Sequence, residues 1–202
     1  MKNVNISRLS DEIQVTKSEY DDFSMPSPWR NFEIIVENSV LYVNAGWLAE
    51  LSPFFAQFCF TEAEQHEPLH IDDTKYEEVL EFMRCITFCP TRKPLTVSNV
   101  SLVMKIASKF DMRPVLARCE AFVARTACTL DRARLFQVTS ALSHCDPNCS
   151  TMTLLIDKLA AMKEDDLNEM QFHQMPGEVV AEIYSQKIRR KTERKKRLCC
   201  VM

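Results

Sequence analysis

Residues 32–60 read FEIIVENSVLYVNAGWLAELSPFFAQFCF, and this stretch decides the fold. It opens with two runs of β-branched and aromatic residues, 32–36 and 40–43, around the turn-forming triplet Glu-Asn-Ser. Two such runs separated by a short turn predict a β-hairpin. The apolar segments 45–51 and 53–60 follow, and the second begins with proline, which is best tolerated in a first helical turn. The sequence therefore predicts a hairpin and then two short helices.

Further along the chain, the hydrophobic pattern changes from strand to helix. Residues 69–71, Leu-His-Ile, predict a third strand. Apolar residues then recur three and four residues apart, as in amphipathic helices, within 76–86, 97–110 and 115–123. Weaker helical segments are predicted over roughly 129–142, 150–161 and 176–190. Three strands followed by helices predict an α+β domain that continues into an all-α extension.

The chain has 202 residues, which suffices for one domain or for one domain with a small appended module. Hydrophobic residues make up 46% and charged residues 26%, as in soluble globular proteins, so we expect a folded core. Only two glycines are present, which excludes glycine-rich phosphate loops and dinucleotide fingerprints. The nine cysteines follow no regular spacing and the amino terminus has no secretory pattern, so we expect free thiols in a reducing compartment.

Charge is distributed unevenly along the chain. Residues 187–202 carry eight Lys or Arg and one Glu, a balance of +7, whereas residues 1–186 carry a net charge of −10. No stretch approaches the roughly 18–20 apolar residues of a membrane-spanning helix, so we expect any membrane contact to lie on the surface or to use an anchor. The carboxyl-terminal segment is therefore a distinct electrostatic unit.

The order of these elements makes the sequence resemble the BTB/POZ family. The matching pieces follow the family order from about residue 30 to residue 125, and they are 32–36, 41–44, 47–55, 69–73, 76–82 and 103–122. The resemblance implies the BTB/POZ fold, a short three-stranded β-sheet packed on a cluster of helices. It is closest to the BTB domains of MATH-BTB substrate adaptors, although the residues ahead of it are too few for a MATH domain.

The resemblance also implies a domain organisation. We expect a flexible amino-terminal segment with a candidate dimer helix at 1–29 and a BTB/POZ domain at 30–125. Residues 126–186 resemble the helical 3-box, or short BACK, extension that follows such BTB domains. Residues 187–202 form the polybasic tail.

BTB proteins are dimerising interaction modules, and many of them bridge a cullin-RING ubiquitin ligase to a substrate protein. The family's cullin-contacting signature is a hydrophobic residue, any residue and then Glu, placed between the short helical pair and the third strand. Phe60-Thr61-Glu62 matches this signature, so the resemblance implies a cullin site at Phe60 and Glu62, where an exposed aromatic fills a pocket on the partner. The alternative is that Phe60 ends a core helix and that Glu62 is merely solvated.

Dimerisation is expected through apolar contact with a second copy of the chain or with another BTB protein. Ile6, Leu9 and Ile13 recur at the spacing of one helical face and predict a short amino-terminal dimer helix. Asn31 and Ala45 stand where many BTB domains carry an Asp and a basic residue in a charged pocket. This departure argues against a function of this chain in recruiting repressors through that pocket, as BTB transcription factors do.

The last four residues, Cys199-Cys200-Val201-Met202, fit the C-a-a-X pattern, in which Cys199 is prenylated and a final Met favours farnesyl. One lipid chain binds membranes only marginally, and upstream basic residues strengthen binding to an anionic surface. Those residues are Arg189, Arg190, Lys191, Arg194, Lys195, Lys196 and Arg197. The alternatives are a nuclear import signal and an inert solvated tail, whereas no nucleic-acid partner is expected because the tail lacks interleaved aromatic residues.

No enzymatic or metal site is predicted. The pairs Cys85/Cys89 and Cys145/Cys149 have C-x3-C spacing but no matching second pair, which argues against zinc. The four histidines stand apart from any nucleophile motif, so we expect neither catalytic residues nor a cofactor.

We interpret the chain as a non-enzymatic BTB adaptor that links a cullin-RING ligase to a substrate protein of unknown identity. Its expected location is the cytoplasm, with a membrane-associated fraction. Two alternatives stay open: an oligomeric scaffold at membranes without ubiquitin chemistry, and a small nuclear regulator that uses the basic tail as an import signal.

Overall fold

A computed structural model describes residues 20–61, 67–87, 92–170, 172 and 175–199, the last six of them by their backbone alone. The elements, in chain order, are β1 (Phe32–Val36), β2 (Ser39–Val43), α1 (Ala45–Leu51), α2 (Pro53–Phe60), β3 (Leu69–Ile71), α3 (Tyr76–Ile86), α4 (Val100–Lys109), α5 (Arg113–Thr126), α6 (Arg132–Cys145), α7 (Ser150–Ala161), α8 (Glu164–Glu169) and α9 (Gly177–Cys199). A small sheet with a helical cluster and further helices confirms the predicted α+β fold class and its helical extension.

The sheet has the strand order β2-β1-β3. β1 and β2 form an antiparallel hairpin in which Val36 lies opposite Ser39, and β3 runs parallel to β1. The two turn residues, Glu37 and Asn38, have positive φ angles of 54° and 113°. Positive φ at both central residues is the requirement of the hairpin turn whose twist matches that of the strands. Two residues of the predicted triplet therefore form the turn, and the third, Ser39, begins β2.

One hydrophobic core joins the sheet to the helices of both halves of the chain. Alternate hairpin residues, among them Ile34 and Leu41, are fully buried, as is Phe82 of α3. α4 packs against both α5 and α6, and α7 packs against α6 and α9. The core continues into the extension through residues such as Leu155 and Ile183, so the extension is an integral part of the folded body.

α4 begins at Val100, three residues later than the hydrophobic pattern predicts. The reason is a turn between Thr96 and Asn99: the Asn99 side-chain oxygen accepts from the Thr96 amide at 2.8 Å, and the Thr96 hydroxyl accepts from the Asn99 amide at 3.3 Å. These reciprocal bonds have the pattern of a capping box, and the Val100 amide donates to the Thr96 carbonyl at 3.0 Å, so a capped turn at Thr96 leads into the regular helix.

The carboxyl-terminal part contains more helix than predicted. α8 was not expected, and three acidic residues at 164–166 occupy its first turn, where they favour the positive end of the helix dipole. α9 is a single helix of 23 residues. The polybasic segment is therefore a continuation of this helix, and the predicted domain boundary at residue 187 falls inside it.

Candidate functional site

α2 is attached to the rest of the domain by the residue that precedes it. The buried Ser52 caps the helix, because its hydroxyl oxygen accepts from the Phe55 amide at 3.2 Å. The same hydroxyl donates to the Phe110 carbonyl at 2.5 Å, directly after α4. One side chain thus fixes both the start of α2 and its position against α4.

An aromatic cluster lies where α2 meets the end of α4. Phe54 stacks on Phe58 with ring centres 5.9 Å apart, and its ring lies 5.4 Å from that of Phe110. The fully buried Phe55 anchors the cluster from below and meets Phe32 of β1 edge to face at 6.5 Å. Although it belongs to this cluster, Phe54 keeps 39% of its surface exposed.

Phe60, the first residue of the predicted cullin signature, is the last residue of α2 and is 57% exposed. Its exposure argues against the alternative in which it simply ends a core helix. Phe60 follows Phe54 by six residues, so the two lie about 120° apart around α2 and on different sides of it. Glu62 lies outside the described residues, so the pair predicted from the signature stays a prediction.

The predicted dimer residues Ile6, Leu9 and Ile13 also lie outside the described residues. Sequence reasoning missed a second apolar surface, in which Trp29 is 78% exposed and Met25 is 75% exposed. Large exposed apolar side chains are typical of protein-protein contacts. A tryptophan directly after the second of two prolines, in a polar stretch, was the available signal.

The loop that carries Trp29 is firmly built. Ser27 and Arg30 exchange two backbone hydrogen bonds of 3.0 Å, and the Arg30 guanidinium pairs with Asp21 and lies over the Phe23 ring at 5.1 Å. Beside it, a cavity of about 550 Å³ is lined in part by Trp29 and Trp47. We call this the Trp29 surface; its fixed loop lowers the entropy lost when a partner binds.

A further cavity of about 670 Å³ lies at the surface along α4 and α6, with Leu102, Phe136 and Cys145 in its lining. Burial raises the pKa of the Cys145 thiol, so this group is protonated and poorly nucleophilic near neutral pH. Within the described residues, no three His, Cys, Asp or Glu side chains converge to hold a metal ion.

The basic residues of α9 fall into two groups. Lys187 is buried, and its Nζ donates to the Met162 carbonyl at the end of α7; burial lowers the pKa of this amine. Arg190 pairs with Asp157 of α7. These two cations hold α9 against α7.

The second group is exposed to solvent, although Lys191 also borders the cavity beside Met162 and Lys187. Arg189 and Lys191 are exposed, and between the two groups Ile188 is 65% exposed. The backbone of α9 is described as far as Cys199, but the side chains of 194–199 are not. Among the helices that the structure describes, none combines the length and the hydropathy needed to cross a bilayer.

A three-stranded sheet on a helical cluster, with exposed aromatic side chains and a helical extension, has the surface features of a protein-interaction domain. The sequence profile of the BTB/POZ domain family matches residues 28–127. The chain is 53% identical over 193 residues to "Cytokinesis defective protein 7" of Caenorhabditis elegans, an alignment that covers 92% of this chain and 72% of the relative. It is 26% identical over 119 residues to "BTB and MATH domain-containing protein 38" of the same organism, covering 58% of this chain and 30% of that protein.

The chain belongs to the BTB/POZ domain family. The predicted family membership is thereby confirmed, and with it the general role of the domain in dimerisation and protein-protein interaction. The family is generally a non-enzymatic interaction module.

Proposed function

We propose that this protein is a substrate adaptor of a cullin-RING ubiquitin ligase and that it binds the cullin through Phe60 and Glu62. The observation that supports this most is the exposed Phe60 ring at the end of α2, in the first position of the family's cullin signature. Aromatic side chains, phenylalanine among them, are enriched at the cores of protein-protein interfaces.

The surroundings of Phe60 support the proposal. Thr61 ends α2 with a defined geometry, because its amide donates to the Gln57 carbonyl at 3.1 Å and its hydroxyl to the same oxygen at 2.6 Å. Ser52 fixes the other end of the helix. Phe60 therefore lies at the defined end of a helix whose start is attached to the domain, so little conformational entropy is lost on binding.

The test is affinity purification of the full chain from cells, with partners identified by mass spectrometry. The double variant Phe60→Ala/Glu62→Ala should lose cullin and its RING partner and should keep its BTB partner. Phe54→Ala is the matched variant, since it removes the other exposed aromatic of α2 and should retain cullin. Unchanged cullin recovery with the double variant refutes the site, and loss with Phe54→Ala alone places the contact on the other side of α2.

We further propose that the chain dimerises with itself or with another BTB protein and that farnesylation of Cys199 holds a cytoplasmic protein partly on membranes. The Trp29 surface supports the first of these, and the exposed basic residues Arg189 and Lys191 support the second. Recovery of the dimer without cullin would favour the scaffold that lacks ubiquitin chemistry. If the protein is found in the nucleus and not on membranes, the alternative in which the basic tail is an import signal is favoured.

A second proposal concerns the cellular process. The 53% identical relative is named for a defect in cytokinesis, and we propose that this chain acts in cell division as well. Depletion should then raise the fraction of binucleate cells, and the intact chain should restore it. Rescue by the Phe60→Ala/Glu62→Ala variant would separate the role in division from cullin binding.

A further inference from the structure

α9 contacts the body along one of its faces. Val179, Ile183 and Lys187 are buried and follow one another at intervals of four residues, which is the spacing of one helical face. The pair of Arg190 with Asp157 extends this contact by almost one more turn. The orientation of α9 relative to α7 is therefore fixed up to residue 190.

The opposite face of the same helix carries one large exposed apolar residue with basic residues beside it. Ile188 and Thr192 are exposed, and position 199 follows Ile188 by eleven residues, which is three turns and about 16 Å of helix. These three positions share a face with position 195, a lysine, and this face is turned away from the buried one. Arg189 and Lys191, both exposed, lie beside Ile188 on its two sides.

We propose that this outward face of α9 docks lengthwise on an anionic lipid bilayer, with Ile188 at the acyl boundary and with Arg189 and Lys191 at the lipid phosphates. An apolar side chain flanked by cations is the pattern of helices that lie in the membrane interface. Residues 1–186 carry a net charge of −10, so the anionic surface attracts the end of α9 and repels the body. Charge complementarity thus favours an anionic bilayer as the partner and turns the end of α9, not the body, toward it.

This docking deepens the proposed membrane role and rests on it only for the lipid at Cys199. The docking itself does not need a prenyl group on Cys199, because Ile188, Arg189 and Lys191 make the contact with the bilayer. The consequence is a rigid arm: since the basic segment continues a helix that is fixed on α7, the BTB domain is held at a set angle to the membrane.

The test uses the full chain produced in bacteria, which leaves Cys199 without a prenyl group. Sedimentation with vesicles of phosphatidylcholine and phosphatidylserine measures binding, and vesicles of phosphatidylcholine alone should bind weakly. Arg189→Gln/Lys191→Gln should weaken binding roughly 30-fold, since each cation near an anionic surface changes affinity about fivefold. Ile188→Ser should weaken it about fivefold through the lost apolar burial.

Matched controls separate this face from the rest of the surface. Lys75→Gln/Lys105→Gln removes the same net charge from two exposed residues of the body, and Leu154→Ser removes an exposed apolar residue of α7. Both should bind vesicles as the unchanged chain does. Equal weakening by the controls, or equal binding to neutral vesicles, would overturn the inference.

Two further experiments distinguish docking of α9 on the bilayer from prenylation of Cys199. Cys199→Ser should leave vesicle binding by the bacterial protein unchanged, whereas in cells it reports on prenylation alone. Binding to a duplex DNA oligonucleotide in preference to the anionic vesicles would assign the basic face to nucleic acid and would refute membrane docking.

Discussion

Ser52→Ala should destabilise the domain by more than the loss of one helix cap. The hydroxyl of Ser52 makes two hydrogen bonds, accepting from the Phe55 amide at 3.2 Å and donating to the Phe110 carbonyl at 2.5 Å. The residue is 1% exposed, so water does not replace the lost donor without rearrangement. The substitution therefore removes a cap and leaves a buried carbonyl without this partner.

The magnitude follows from these two losses. An N-cap replaced by Ala costs about 1 kcal/mol, and a buried acceptor deprived of its donor costs about 1–3 kcal/mol. Together they lower the free energy of unfolding by roughly 2–4 kcal/mol. Asn44→Ala is the matched control, because Asn44 is exposed and caps α1 by accepting from the Trp47 amide at 2.9 Å; its loss should cost about 1 kcal/mol.

Urea denaturation followed by far-ultraviolet circular dichroism measures both variants. Protein concentration must be held constant, since dimerisation stabilises the folded state by mass action. If Ser52→Ala and Asn44→Ala lose the same free energy within about 0.5 kcal/mol, the bond to Phe110 contributes nothing and the reasoning fails.

Three other expectations can be measured directly. The Phe60→Ala/Glu62→Ala variant should reduce cullin binding by at least tenfold while size-exclusion chromatography shows an unchanged oligomer, because interface aromatic anchors typically contribute about 2 kcal/mol or more; an altered oligomer would contradict a role confined to cullin. Cys199→Ser should move the protein from the membrane pellet to the soluble fraction of lysed cells, and an unchanged pellet would exclude prenylation as its cause. Burial raises the pKa of the Cys119 thiol to about 12, so iodoacetamide at pH 8 should alkylate the exposed Cys128 and spare Cys119 until urea is added. Mass spectrometry reads out this difference, and equal labelling in the folded state would contradict the burial.

The elements that the sequence predicted well are those set by local chemistry. The hairpin follows from two β-rich runs around a turn, and α2 begins at Pro53 because proline suits a first helical turn. The regular part of α4 begins three residues later than predicted, since the bonds exchanged between Thr96 and Asn99 form a capping turn that apolar spacing does not show. α8 was missed because six residues are too few for a periodic pattern.

The candidate site was only partly predictable for a related reason. α2 reads PFFAQFCF, which is apolar nearly all round, so its sequence shows no polar face from which to judge exposure. Phe55 is buried and Phe54 partly exposed because of where β1 and the end of α4 place Phe32 and Phe110. Contacts between residues so distant along the chain are invisible to local patterns. Phe60 could be singled out only by its place in a family signature.

The tail shows the same limit most clearly. Lys187 and Arg190 look like any other cations of the polybasic run, and only the position of α7 turns one toward the Met162 carbonyl and the other toward Asp157. Neutralising the whole run would therefore remove membrane charges and two contacts that hold α9 on α7 at once. Loss of membrane binding in such a variant would have two causes. Substitution of Arg189 and Lys191 alone leaves both α7 contacts in place, so it isolates the charge that faces the lipid.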